Sequence, residues 1–124
     1  MKQALILFGH GARDPRWAEP FHKLQTQLQQ QAGDGFEVRL AYLELMTPSL
    51  LEVVTELAGQ GIQTARVVPV FFGQGGHLRK DFPVLLADCR TQFPDMDLQA
   101  TPPVGEWDQV LQAIVAGALQ SVCT

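Results

Sequence analysis

Cysteine and positive charge are what this sequence has least of. Cys89 and Cys123 are the only two cysteines in 124 residues. They have neither metal-ligand spacing nor the density of a secreted disulfide scaffold, so a reducing cytoplasm is the expected setting. Nine Lys and Arg against thirteen Asp and Glu leave a formal charge of −4. That argues against nucleic acid or an anionic membrane as a general partner, because affinity for polyphosphate rests on an excess of cations. No apolar run approaches the roughly 20 residues of a membrane span. The stretch ALILF after Met1-Lys2-Gln3 is only five residues long and lacks a small-residue cleavage site, so it reads as a buried first strand and not as a signal peptide. Linkers, low-complexity tracts and long internal repeats are also missing. Residues 1–124 are therefore expected to form one α/β domain.

What is present is a globular composition, 46% hydrophobic and 18% charged, with enough apolar material for one core. Ala4 to Phe8 reads as a strand covered on both faces. Asp14-Pro15 supplies a cap and first-turn proline for a helix whose stripe is Trp17, Phe21, Leu24 and Leu28, ended by Gly33-Asp34-Gly35. Phe36 to Leu43 alternates like an edge strand. Thr47-Pro48 restarts a helix carrying Leu50, Val54 and Leu57. Ala65 to Phe72 reads as a third strand, although Pro69 argues against a central place. Asp81 is expected to cap a third helix with Pro83 in its first turn and Phe82, Leu85, Leu86, Cys89 and Phe93 inward. A short strand near Asp97 to Thr101 and a helix from Trp107 to about Leu119 complete the chain. Trp17, Phe21 and Trp107 are expected in the core, and Phe71-Phe72 in the core or walling a ligand site. Strands alternating with helices through short loops predict a three-layer sandwich with a four-stranded parallel sheet.

Ligands in such sheets bind outside the carboxyl ends of the strands. Three side chains fit that edge: His10 after the first strand, Glu44 after the second and His77 in the loop after the third. Two imidazoles and a carboxylate suit a first-row divalent ion and also accept protons near neutral pH. Singly, each has a plainer reading, a loop hydrogen bond for a histidine or a solvated turn for Glu44. His22, beside the stripe of the first helix, is expected at the surface. Arg13, Arg79 and Lys80 flank the histidines in an acidic chain and suggest an anionic ligand, or else surface ion pairs with Asp14 and Asp81. The glycines, Gly75 and Gly76 among them, allow close approach of a ligand, but their spacing is that of neither phosphate-binding loop. A phosphohistidine nucleophile at Gly9-His10-Gly11 explains His10 and Arg13 while leaving Glu44 and His77 with lesser roles.

GHGARDP, YLELMTPSL and VVPVFFGQGGHLRKDFP, in that order, closely resemble the class II chelatases of the small sirohydrochlorin type, the short cobaltochelatase/ferrochelatase family. The likeness runs from about Leu5 to Pro103. It implies a flavodoxin-like fold and a lyase that inserts a divalent metal, Co2+ or Fe2+ with Ni2+ a further candidate, into a reduced tetrapyrrole for cobalamin or sirohaem, with no organic cofactor. It carries metal-binding and catalytic roles onto His10, His77 and their acidic partner Glu44, and its large polycarboxylate substrate makes Arg13, Arg79, Lys80, Gly75 and Gly76 the expected substrate contacts. Ala12 stands where the family usually has Ser. Longer members place two similar halves around one cleft, so this shorter chain is expected to work as a homodimer. A metal or tetrapyrrole carrier without turnover needs the same ligands and is the alternative.

Overall fold

The computed structural model describes residues 2–73 and 75–123, with Gly76 and His77 described by their backbone alone. The apolar opening stretch forms β1 (Gln3–Gly9), followed by β2 (Phe36–Tyr42), β3 (Thr64–Pro69) and β4 (Asp97–Ala100). All pairings are parallel, in the order β2-β1-β3-β4, which is the flavodoxin-type order without a fifth strand. β2 is an edge strand, as its alternation predicts. β3 is internal in spite of Pro69, which stands at its last position. Val70 donates to the Phe8 carbonyl at 2.8 Å, so by alternation the Pro69 nitrogen faces β4, whose last pair is Val67 with Ala100. Thr101 donates to the Val67 carbonyl at 2.9 Å, and the next donor of the ladder would be the Pro69 nitrogen, so the pairing with β4 ends there.

The period of two along β1 divides the core. Ala4, Ile6 and Phe8 join Ala65, Val67 and Leu98 beneath α2 (Leu50–Gly59) and α3 (Gly76–Gln92). Leu50, Val53, Val54 and Leu57 of α2 are each at most 1% exposed, and full burial of such a side chain contributes roughly 1.5–3 kcal/mol. On the other face Leu7, Val38, Leu40 and Tyr42 meet Ala18, Phe21 and the half-buried Trp17. This side is covered by α1 (Glu19–Ala32).

Three helix starts differ from expectation. Asp14 caps a short 3-10 turn, Pro15–Ala18, and α1 begins only at Glu19. Pro20 has no N–H to give the Arg16 carbonyl, which takes the Glu19 N–H instead. Ser49, not Thr47-Pro48, caps α2, through a reciprocal box with Glu52. α3 starts at Gly76 instead of Asp81, so Pro83 lies inside it. Burial of Leu78 to 4% exposure anchors the earlier turn, and Pro83 leaves the Arg79 carbonyl without its helical donor. The fourth helix, α4 (Asp108–Gln120), forms where expected but does not join the core. Every residue from 111 to 123 is exposed, and Trp107 is only half-buried.

Leu57→Ala is expected to lower stability by about 2–5 kcal/mol, read as a fall in the urea midpoint. Lys23→Ala, at an exposed position of α1, should stay within about 0.5 kcal/mol.

Candidate metal and ligand site

β1 and β2 remain paired past their last strand residues. Leu43 donates to the Gly9 carbonyl at 2.9 Å and Glu44 to the His10 carbonyl at 3.1 Å, extending the register that matches Gly9 with Tyr42. The extension sets two side chains against each other, with His10 Nε2 3.2 Å from Glu44 Oε1. Both side chains are 47% exposed, so a ligand can reach the pair. Gly11 makes the approach possible: its φ is +97°, and a Cβ there would collide with the Glu44 carbonyl. Gly9 is constrained more mildly from below, since its Cβ would stand 2.9 Å from the Phe21 ring. That ring packs on Trp17 at 4.8 Å between centroids and on Tyr42 at 6.3 Å.

After β3 the chain leaves by the same edge, because Val70 is tied to Phe8. Gly75 takes the cap position of α3, and the Arg79 N–H donates to its carbonyl at 3.0 Å. His77 therefore sits on the first helical turn and not on a loop. Its side chain, expected as the third ligand, lies outside the described residues. Among the described residues no group of three His, Cys, Asp or Glu side chains comes together.

Arg13, Arg79 and Lys80 are exposed. The expected alternative partner for Arg13 is taken: Asp14 binds Arg16, with Nη2 at 2.7 Å and Nε at 3.1 Å. The Arg16 guanidinium, with help from its own backbone N–H, holds the Asp14 carboxyl below its ordinary value. Leu45 was not anticipated. It follows Glu44 with a φ of 66° and is 58% exposed, and nothing in the residue type announces it. Phe71 packs against the main core, whereas Phe72 is 60% exposed. A cavity of about 480 Å3 beside the β2 edge is lined by His22, Arg39, Tyr42, Met46 and Pro48 but by neither His10 nor Glu44. His22 is at the surface as expected, and the His10–Glu44 pair lies on an open face.

Residues 4–121 match the CbiX family model. The chain belongs to the CbiX family. It is similar to a sirohydrochlorin cobaltochelatase of Methanopyrus kandleri, 34% identical over 83 residues, which are 67% of this chain and 57% of that one. The chain thus spans less than two thirds of that relative's length. A crystal structure of a CbiX protein from Marinobacter aquaeolei VT8 is 31% identical and superimposes with a TM-score of 0.83 over 97% of both chains. The sirohydrochlorin chelatase SirB from Bacillus subtilis subspecies spizizenii, solved with cobalt, shares the fold at 23% identity and a TM-score of 0.79. That match covers 98% of this chain and 51% of SirB. The three-layer α/β fold expected from the sequence is the fold of this family.

Gly11→Ala should separate His10 from Glu44 and cost more than about 1 kcal/mol; the urea midpoint and the His10 ring NMR shifts are the measurements. Burial pushes the Tyr42 hydroxyl above its ordinary value of 10.0. A raised folded-state value means a contribution fully present below the unfolded value and lost as pH rises through the folded one. The urea midpoint should therefore fall above about pH 10, and Tyr42→Phe should remove that part of the fall.

Proposed function

We propose that this CbiX-family chain, a single α/β domain over residues 1–124, is a sirohydrochlorin-type chelatase that inserts Co2+ or Fe2+ into a reduced tetrapyrrole. The observation that carries the reading is the His10–Glu44 pair, 3.2 Å apart and open to solvent at the carboxyl edge of a parallel sheet. Metal insertion requires that water be stripped from the ion, that pyrrole N–H protons be removed, and that ion and macrocycle meet face to face. A neutral imidazole at His10, with His77 from the neighbouring first turn of α3, holds the substrate ion while leaving positions exchangeable. Glu44 beside His10 adds negative charge for the cation and accepts protons as nitrogen–metal bonds form. These steps need no nucleophile and no organic cofactor. A phosphohistidine reading fits less well, because the Glu44 carboxylate next to Nε2 repels a phosphoryl group.

Arg13, Arg79 and Lys80 suit the rim of a polycarboxylate ligand, and the glycine backbone at Gly75 and Gly76 leaves room for its plane. Exposed Leu45 and Phe72 supply apolar surface against a flat ring. One chain offers one wall, and SirB, of which it matches about half, is consistent with two such units around a cleft. The working form is therefore a homodimer, in the cytoplasm, serving cobalamin or sirohaem synthesis.

Metal-free sirohydrochlorin with Co2+ or Fe2+, corrected for the spontaneous rate, is the direct test. No rate above background would leave a carrier. His10→Ala and His77→Ala should each lower insertion by about 100-fold or more with little change in the urea midpoint, and His22→Ala should leave it unchanged. Arg79→Ala should raise KM for the tetrapyrrole with kcat retained, an effect that added salt should partly mimic. An unchanged KM at low salt would reduce Arg79 to a bystander.

A further inference from the structure

The outer edge of β2 is sealed by neighbouring groups at all but one position. Because Leu43 donates to the Gly9 carbonyl, the odd-numbered residues of this strand turn their backbone groups to β1. The even-numbered ones, Phe36, Val38, Leu40 and Tyr42, turn theirs outward. Gln29 of α1 stands in for a fifth strand at the first two: its Nε2 donates to the Phe36 carbonyl at 2.8 Å, and its Oε1 accepts from the Val38 N–H at 3.0 Å. Gln25 Nε2 donates to the Val38 carbonyl at 2.9 Å. At the far end the Tyr42 N–H donates to the Pro48 carbonyl at 2.9 Å. Among the described residues of the strand, only Leu40 keeps both an outward N–H and an outward C=O without a protein partner.

That gap opens into the cavity of about 480 Å3 beside the edge, which Leu40 lines together with Ala18 and His22 on one side and Met46 and Pro48 on the other. Arg39 lines it as well, although its guanidinium is held toward α2 by Glu56 at 2.8 Å, so the cavity reaches the backbone edge itself. Its size is that of a small-ligand pocket, in which mostly apolar walls surround a few fixed polar groups.

We propose that the gap at Leu40 is a binding site for a single N-acylated amino-acid amide with an apolar side chain. An N–H and a C=O on the same strand residue are both satisfied by the C=O and N–H of one residue lying antiparallel to it. A residue so paired directs its side chain to the same face as Leu40, the α1 face on which Leu40 packs with Ala18. A simple anion offers no donor for the Leu40 carbonyl. A longer strand gains no further pairing, because the Gln25 amide and the Pro48 carbonyl already occupy the edge on either side. Neither His10 nor Glu44 lines the cavity, so the site is separate from that pair and does not depend on the chelatase reading.

The probe is acetyl-leucine methylamide, titrated into the isotope-labelled chain while the backbone amide of Leu40 is followed by NMR. A ligand of this size is expected to bind with a Kd on the order of 1 mM. It should shift the Leu40 amide saturably and leave the Val38 amide, already bonded to Gln29, nearly unmoved. The analogue methylated on the leucine nitrogen keeps the side chain but loses the donor to the Leu40 carbonyl, and should bind about 10-fold more weakly or worse. A Leu40 amide that stays unmoved at about ten times the expected Kd overturns the proposal, as does equal binding of the methylated analogue. A longer extended peptide that binds about 10-fold tighter than the single residue would assign the edge to a protein strand and overturn it too.

Discussion

The parallel hydrogen bonding of β1 to its two neighbours is the constraint on which the rest of the molecule depends. It fixes which side chains of β1 face α2 and α3 and which face α1, and it continues past the strand ends. Because Leu43 and Glu44 donate to Gly9 and His10, the site is an extension of the sheet and not an independent loop structure. Because Val70 donates to Phe8, the segment leading to His77 leaves by the same edge. The chain order reverses between β1 and β3, and that is where an open α/β sheet offers a crevice.

The His10–Glu44 contact does not hold this geometry in place. A polar contact this exposed contributes about 0–1 kcal/mol, less than the burial of one core leucine, which contributes roughly 1.5–3 kcal/mol. Backbone and aromatic packing do the holding: Gly11 against the Glu44 carbonyl, and Gly9 against Phe21. A pair that contributes little to stability and is positioned by groups that contribute much has the character of a binding device. It can change partner without disturbing the sheet.

Much of this was legible in the sequence because it rests on local signals. Continuous apolarity gave β1, alternation gave β2 as an edge, and Gly-flanked His10 with Glu44 after the next strand pointed to one sheet edge. The errors share a cause. Helix starts read from Pro15, Pro48 and Pro83 are displaced in the structure: α1 begins at Glu19, where Pro20 has no N–H to give, and Pro83 lies inside α3, where the burial of Leu78 outweighs the missing donor. The Ser49–Glu52 box is a local signal that places the start of α2 two residues beyond Thr47-Pro48. Leu45 had no signal, since its positive φ follows from the path of the chain around Glu44 and not from its side chain.

The apolar content of α4 exposes a limit of periodicity itself. A stripe at helical spacing says that a face must be covered, and in a chain of this composition the natural assumption is that its own core covers it. Here Trp107 and Val110 touch an apolar groove beside β1 and β3 and the rest depart, guided by the Pro102-Pro103 pair and by Gly105 packed on Phe72. Sequence pattern identifies the surface that avoids water, whereas only the exit direction, a property of three-dimensional packing, decides whether the chain's own core meets it.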